Sequence, residues 1–225
     1  MSMPGLKPII FYDIPNVVQN EPWSPNTMNT RYCLTFKGLP FQTVWLEFPE
    51  IRPFYEQHSL VPTTSLIKDS FAIAQYLDEQ YPDTPKVLPN GTAALVHVFQ
   101  TAFYNAVKGT SLLAGFRGAQ KLNPESKEYY IRTCEERFGI PWEQFAMHEK
   151  REEQWDALRV AYNTMDGWYA TSSGQFILGD TPCFADFMVA GLCNYIRYCF
   201  ENEEWEEDDG GRLVEATDKY LDCSK

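Results

Sequence analysis

The sequence contains no apolar run that approaches the roughly 20 residues of a membrane-spanning helix. Its start, MSMPGLKP, has no apolar core of the kind a secretion signal needs, so the chain reads as a cytoplasmic protein with no membrane partner. Base is scarce: 19 lysines and arginines stand against 31 aspartates and glutamates, a formal net charge of -12. Nucleic-acid binding, which lysine and arginine drive by displacing counterions, is thereby disfavoured. Histidine is scarcer still, at positions 58, 97 and 148, and the six cysteines form no C-x-x-C pair. No metal-ligand set can be assembled from that spacing, and scattered reduced thiols are the reading. There is no internal repeat. The nearest approach to low complexity is ENEEWEEDD at 201–209, which reads as a solvated surface turn.

Of the 225 residues 44% are hydrophobic and 15% aromatic, enough for one large core or two modest ones. KPIIFYDI at 7–14, bounded by prolines, reads as a strand. From Pro25, Met28, Tyr32, Cys33 and Phe36 recur at helical spacing, and Gly38 follows Lys37 as a stop. PFQTVWLEF at 40–48 reads as a second strand, so the helix between makes the right-handed crossover of two parallel strands. In KDSFAIAQYLDEQYP, Phe71, Ile73, Ala74 and Leu77 mark a helix face that Pro82 ends. YPDTPKVLPN then has the composition of a linker. Beyond Gly91 the pattern is helical at about 92–113, 125–138, 141–170, 182–200 and 212–222. The reading is an α/β domain over 1–84 and an all-α bundle over 85–225.

One stretch carries chemistry. In EPWSPNTMN, Ser24 directly precedes Pro25 at the start of the first helix. Proline suits a first helical turn, and the free amides behind it face whatever lies ahead. Ser24 can cap that helix, or it can offer its hydroxyl, with the helix N-terminus, to a bound anion. Cys33 is a possible redox rival, but it lies mid-helix on the apolar stripe, where burial is the simpler reading.

Three motifs in order give the sequence a family resemblance: the Ser24 stretch; KDSFAIAQYLDEQYP, an acid-serine pair ahead of an I-A-x-Y-L helix; and FILGDTPCFADFMVAG, similar to a G-D-x-x-S/T-x-A-D signature. Together they resemble the glutathione transferase superfamily over most of the chain. WSPNTMNTRYCLTFKGLPFQTVWLEFPEI is most similar to its fungal serine class, which is related to bacterial glutathione-dependent β-etherases. The resemblance implies a thioredoxin-like domain of βαβ…ββα order, an α-helical second domain and a homodimer. It implies glutathione as co-substrate, with Ser24 as donor to its thiolate and Asn26, Pro62, Asp69 and Ser70 as its binding residues. The electrophile is then expected between the domains, against Trp23, Phe99, Phe103 and Tyr104, whose aromatic character suits phenolic compounds. Glutathione conjugation in detoxification is the leading expectation; ether cleavage or peroxide reduction, or binding of hydrophobic phenolics without turnover, are the alternatives.

The energetics of that role are modest. A free thiol has a pKa of about 8.5, and lowering it to about 6.5 takes roughly 2.7 kcal/mol. A hydroxyl donating to a charged partner supplies roughly 1.5 to 3 kcal/mol and a helix N-terminus about 0.3 to 1. Asp69 can pair with the γ-glutamyl ammonium while Ser70 holds its carboxylate. Asn29 stands where the serine class often has lysine. Cys183 replaces the hydroxyl that normally caps the central helix, with Asp186 reaching back, so a cap weaker by up to roughly 1 kcal/mol is expected.

The sequence departs from the family at one place. Only Pro62 can serve as the cis-proline ahead of Asp69, and six residues, TTSLIK, separate them. Two strands of about four residues and a two-residue turn need about ten. The hairpin does not fit, and a proline loop with its first strand is expected to be missing between Thr64 and Ser65.

Overall fold

The computed structural model describes residues 6–18, 20–59, 66–145 and 148–200. Pro62, the acidic run at 201–209 and the helix expected at 212–222 lie outside them.

Strand β1 (Ile9–Asp13), helix α1 (Pro25–Phe36) and strand β2 (Phe41–Trp45) form the expected crossover, β1 and β2 pairing in parallel with Ile9 opposite Phe41 and Asp13 opposite Trp45. Gly38 takes φ 67° just past α1, a left-handed conformation that glycine adopts without a Cβ clash. β2 is shorter than its apolar pattern suggests, because Phe48 already opens α2 (Phe48–Ser59). The sequence pattern hides α2: it carries Pro53 in its interior, where proline removes one hydrogen bond, and its apolar residues are spread around the helix. Residues 66–68 are irregular and lead directly into α3 (Ser70–Gln80). Among the described residues the sheet has two strands.

The helical part begins at α4 (Ala93–Val107). The stretch expected as one helix over 92–113 is broken by a tight turn at Lys108–Thr110 before α5 (Ser111–Ala119). Next come α6 (Pro124–Phe138), closed by Gly139 at φ 67°, then α7 (His148–Tyr169) and α8 (Phe184–Cys199). The residues joining front and back are not a loose linker. Val87 is fully buried, its carbonyl accepts from Phe184 N–H at 2.8 Å, and buried Asp78 accepts from the amides of Val87 and Leu88 and from Lys37 Nζ.

The central contact is α1 on α8. Gly191 makes it possible: a Cβ there would lie 2.6 Å from Asn29 Oδ1 and 3.0 Å from the Pro25 carbonyl, so only glycine permits this approach. Oriented with its amide nitrogen toward the carbonyls, Asn29 donates to Pro25 O at 3.0 Å and Phe187 O at 3.1 Å. Tyr32 stacks on Phe187 at 5.5 Å and accepts from Asn194 at 2.6 Å. The start of α1 is thus held by the buried central helix of the bundle. Beneath the sheet, Arg31 is fully buried, bonded to Asp13 at 2.8 Å and ringed by Phe11, Phe41 and Trp45 at 5.3 to 5.6 Å.

Candidate functional site

Two helix N-termini open onto one cavity of about 720 Å³. At the first, Ser24 is extended (φ -90°, ψ 128°), Pro25 occupies the first helical turn, and Ser24 Oγ accepts from the Asn26 amide at 3.3 Å. The serine therefore does cap the helix. Accepting leaves its own hydroxyl proton to be donated. Ser24 is 6% exposed and sits behind Asn26 and Thr27, which line the cavity.

At the second, Asp69 is the N-cap of α3: its Oδ1 accepts from Phe71 N–H at 3.1 Å and Ala72 N–H at 3.0 Å. Its φ of 79° is uncommon for a non-glycine residue and is tolerated best by aspartate and asparagine. Strain of that kind gathers where a side chain must be aimed. With Oδ1 holding the helix, Oδ2 is available to a cationic group in the cavity, which Asp69 and Ser70 both line.

Tyr104, from α4, closes the mouth. Its hydroxyl donates to Asn26 Oδ1 at 3.4 Å, and burial together with the nearby Asp69 charge holds its phenol above the usual range, so it remains a donor. Asn26, Asp69, Ser70 and Tyr104 are thus brought to one cavity. The other aromatic candidates are not. Trp23 is buried, its indole N–H donating to the Gly118 carbonyl at 2.7 Å amid Phe48, Tyr130 and Tyr195. Phe103 is 4% exposed, and Phe99 packs edge-on against Trp168 at 5.1 Å. These three serve the interior because an aromatic stripe on the bundle's first helix meets other helices before it meets the cleft.

Sequence reasoning missed Thr27, whose hydroxyl donates to the Ser24 carbonyl at 3.0 Å, and Lys68, whose ammonium lies 4.7 Å from the Tyr55 ring; both line the cavity. Lys68 precedes Asp69 directly and could have been noted as a cation beside the acid-serine pair. Missed too was the cavity's depth, where Tyr12, Ile51, Phe54 and His58 come together, because α2 itself was not legible. The cysteines take no part. All five in the described region are buried and free, and burial pushes the Cys33 thiol well up, which leaves it inert. Asn29 points into the α1–α8 contact, away from the cavity.

The donor set fits a zwitterionic ligand with a soft anion: a carboxylate of Asp69 for an ammonium, the α3 N-terminus and Lys68 for carboxylates, and the α1 N-terminus with Ser24 for a thiolate. No helix among the described residues is long and apolar enough to cross a membrane, and none of their histidines, cysteines and acids gather in a group of three that could hold a metal.

Comparison with known proteins agrees with this arrangement. Residues 94–220 match the model of the glutathione S-transferase C-terminal domain. The chain is 32% identical to a glutathione S-transferase of Ceriporiopsis subvermispora solved in complex with glutathione, covering 95% of this chain and 98% of that one with a TM-score of 0.85. A glutathione transferase of Phanerochaete chrysosporium is 30% identical, with 96% and 98% covered and a TM-score of 0.84. A glutathione S-transferase-like protein of Aspergillus flavus is 27% identical over 235 aligned positions, which take in 89% of this chain and 84% of the relative. Since 89% of 225 residues is about 200, about 35 of those 235 positions face no residue of this chain.

Proposed function

The chain belongs to the glutathione S-transferase family, and from that premise we propose that it is a glutathione transferase of the serine type that conjugates glutathione to aromatic or phenolic electrophiles. The observation that carries this reading is the convergence of the α1 and α3 N-termini on one cavity, with a hydroxyl at the first and an acid-serine pair at the second.

In this reading Asp69 Oδ2 pairs with the γ-glutamyl ammonium, and the Ser70 amide and hydroxyl hold the adjoining carboxylate. Lys68 stands near enough to take the other carboxylate. Asn26 and Tyr104 border the same space and orient the backbone of the tripeptide. The thiol lies at the start of α1, where Ser24 turns its hydroxyl proton to the sulfur while its oxygen still accepts from Asn26. The thiol proton leaves to water. The thiolate's electron pair then forms a C–S bond with the electrophilic carbon, and the displaced pair departs on a leaving group or is taken up by a conjugated acceptor, which is protonated. The protein supplies the anion's stabilisation and the position; it takes no covalent part.

The same reading makes the chain a cytoplasmic detoxification enzyme of two domains, divided near residue 85, that works as a homodimer. Two exposed aliphatic residues one turn apart on α4, Leu95 and Val98 at 67% and 66%, support a surface that a partner covers. Burial of Ser24 and its engagement as a cap favour one alternative, a binder of hydrophobic phenolics without turnover.

Calorimetric titration with glutathione near pH 7, beside turnover of a chlorinated dinitrobenzene, tests the proposal. Binding and turnover are expected in the parent. In Ser24→Ala, kcat/KM is expected to fall about tenfold or more, in keeping with loss of a charge-assisted hydrogen bond. Binding without turnover would establish the binder instead. A loss of twofold or less in Ser24→Ala would remove the hydroxyl from the chemistry.

A further inference from the structure

We propose that the outer edge of β1, with the cavity beside it, is a receptor for an extended aliphatic peptide strand supplied from outside the described residues.

The backbone comes first. Ile9 N–H donates to the Pro40 carbonyl and the Asp13 carbonyl accepts from Leu46 N–H, both at 2.9 Å. Parallel strands bond through alternate residues, so the odd-numbered positions of β1 face β2. The peptide groups of Ile10 and Tyr12 point the other way, along an edge that no strand covers among the described residues. Such an edge is a template for a further strand. Ile10 is 47% exposed, unusual for an aliphatic residue in a two-stranded core sheet.

The walls come second. Ile10 and Tyr12 form part of the cavity floor, Ile51 and Phe54 of α2 one wall, Ile73 and Tyr76 of α3 the other. Pairing groups along the floor and apolar side chains on both flanks are the requirements of strand addition, and not those of a charged tripeptide, which is served at the mouth by Asp69 and Lys68. Five residues of β1 offer about 16 Å of edge, matched by a strand of about five residues. Because helices flank both of its faces, the incoming strand is aliphatic throughout rather than alternating.

The chain length comes third. About 35 aligned positions of the Aspergillus relative have no counterpart here, more chain than two strands of about five residues and a turn require. This chain keeps the seat and is short of chain to fill it.

The test uses the whole protein without glutathione, so its outcome is independent of the catalytic reading. The probe is a synthetic peptide of five valines and isoleucines between lysine pairs, acetylated and amidated, beside the same peptide N-methylated at alternate residues. Stoichiometric binding of the first is expected to slow hydrogen exchange at the Ile10 and Tyr12 amides by about tenfold or more, the size of an added 1.4 kcal/mol of protection, and to raise Tm. Ile10→Pro removes one outward amide and leaves the β1–β2 bonds intact, since proline is tolerated on the free side of an edge strand, and is expected to abolish the effect. Tyr55→Glu, at a cavity-lining residue 36% exposed, serves if the proline variant does not fold, and is expected to abolish binding too. No protection at saturating peptide overturns the proposal. So does equal binding of the N-methylated peptide, which would show an apolar sink without strand pairing, or slow exchange at both amides before peptide is added, which would show the edge already covered by a second copy.

Discussion

Asp69 performs two tasks with one carboxylate, and its two oxygens separate them. Oδ1 holds the amides of Phe71 and Ala72; Oδ2 remains for a ligand. Asparagine can keep the first task and the positive φ while giving up the charge. Asp69→Asn is therefore expected to leave Tm nearly unchanged and to weaken glutathione about 10- to 100-fold, the loss of a charged hydrogen bond worth roughly 1.5 to 3 kcal/mol; parallel melting and calorimetric titrations check it. Equal affinity in the variant would mean the ammonium is held elsewhere. Asp69→Ala alone would not make this distinction, because it also removes the cap.

At the scale of elements, the buried Arg31–Asp13 pair fixes α1 under the sheet. Removing one partner of such a pair strands the other, so Arg31→Met is expected to cost about 3 to 5 kcal/mol, read from denaturant unfolding. Central helix α8 gives a prediction of opposite sign. Asp186, fully buried, accepts from the amides of Cys183 and Ile177 and from Tyr169, which completes one half of a capping box. Cys183 occupies the cap itself with a weakly accepting thiol, and Cys183→Ser is expected to raise stability by up to about 1 kcal/mol; an unchanged or lower Tm would refute the account.

These elements also show what a sequence can disclose. β1, α1 and β2 were legible because Pro25 and Gly38 punctuate a 3.6-residue period between two apolar runs. Helix α2 was not, because Pro53 speaks against a helix while the flanking packing sustains one. Asp69 and Ser70 were legible by their place at a helix start, and Tyr104 by its stripe. Trp23, Phe99 and Phe103 share that aromatic character, yet periodicity marks a face without saying whether a helix or a cleft lies opposite. The Lys68 ammonium and the cavity depth depend on residues far apart in sequence, which local patterns do not join.

Across the whole molecule, the site is assembled from both parts of the chain. Gly191 lets α8 hold the start of α1, and Tyr104 of α4 closes over Asn26. Gly191→Ala, with its Cβ driven onto Asn29 and the Pro25 carbonyl, is accordingly expected to weaken glutathione binding as well as to lower Tm, although it touches no ligand. Outward, Leu95 and Val98 are proposed to meet a partner. Leu95→Glu with Val98→Glu is expected to give monomers in light scattering at concentrations where the parent is dimeric; a parent that is monomeric at all concentrations contradicts the dimer.

The central claim is that the Ser24 hydroxyl stabilises the glutathione thiolate at the head of α1. Its most direct test is an ultraviolet difference titration of the thiolate of bound glutathione against pH, in the parent and in Ser24→Ala. The account predicts a thiol pKa in the parent about 1 to 2 units below its ordinary value of about 8.5, because each unit is about 1.36 kcal/mol, and most of that shift lost in the variant. Coincident titration curves for bound thiol in the two proteins would contradict it and leave Ser24 a helix cap.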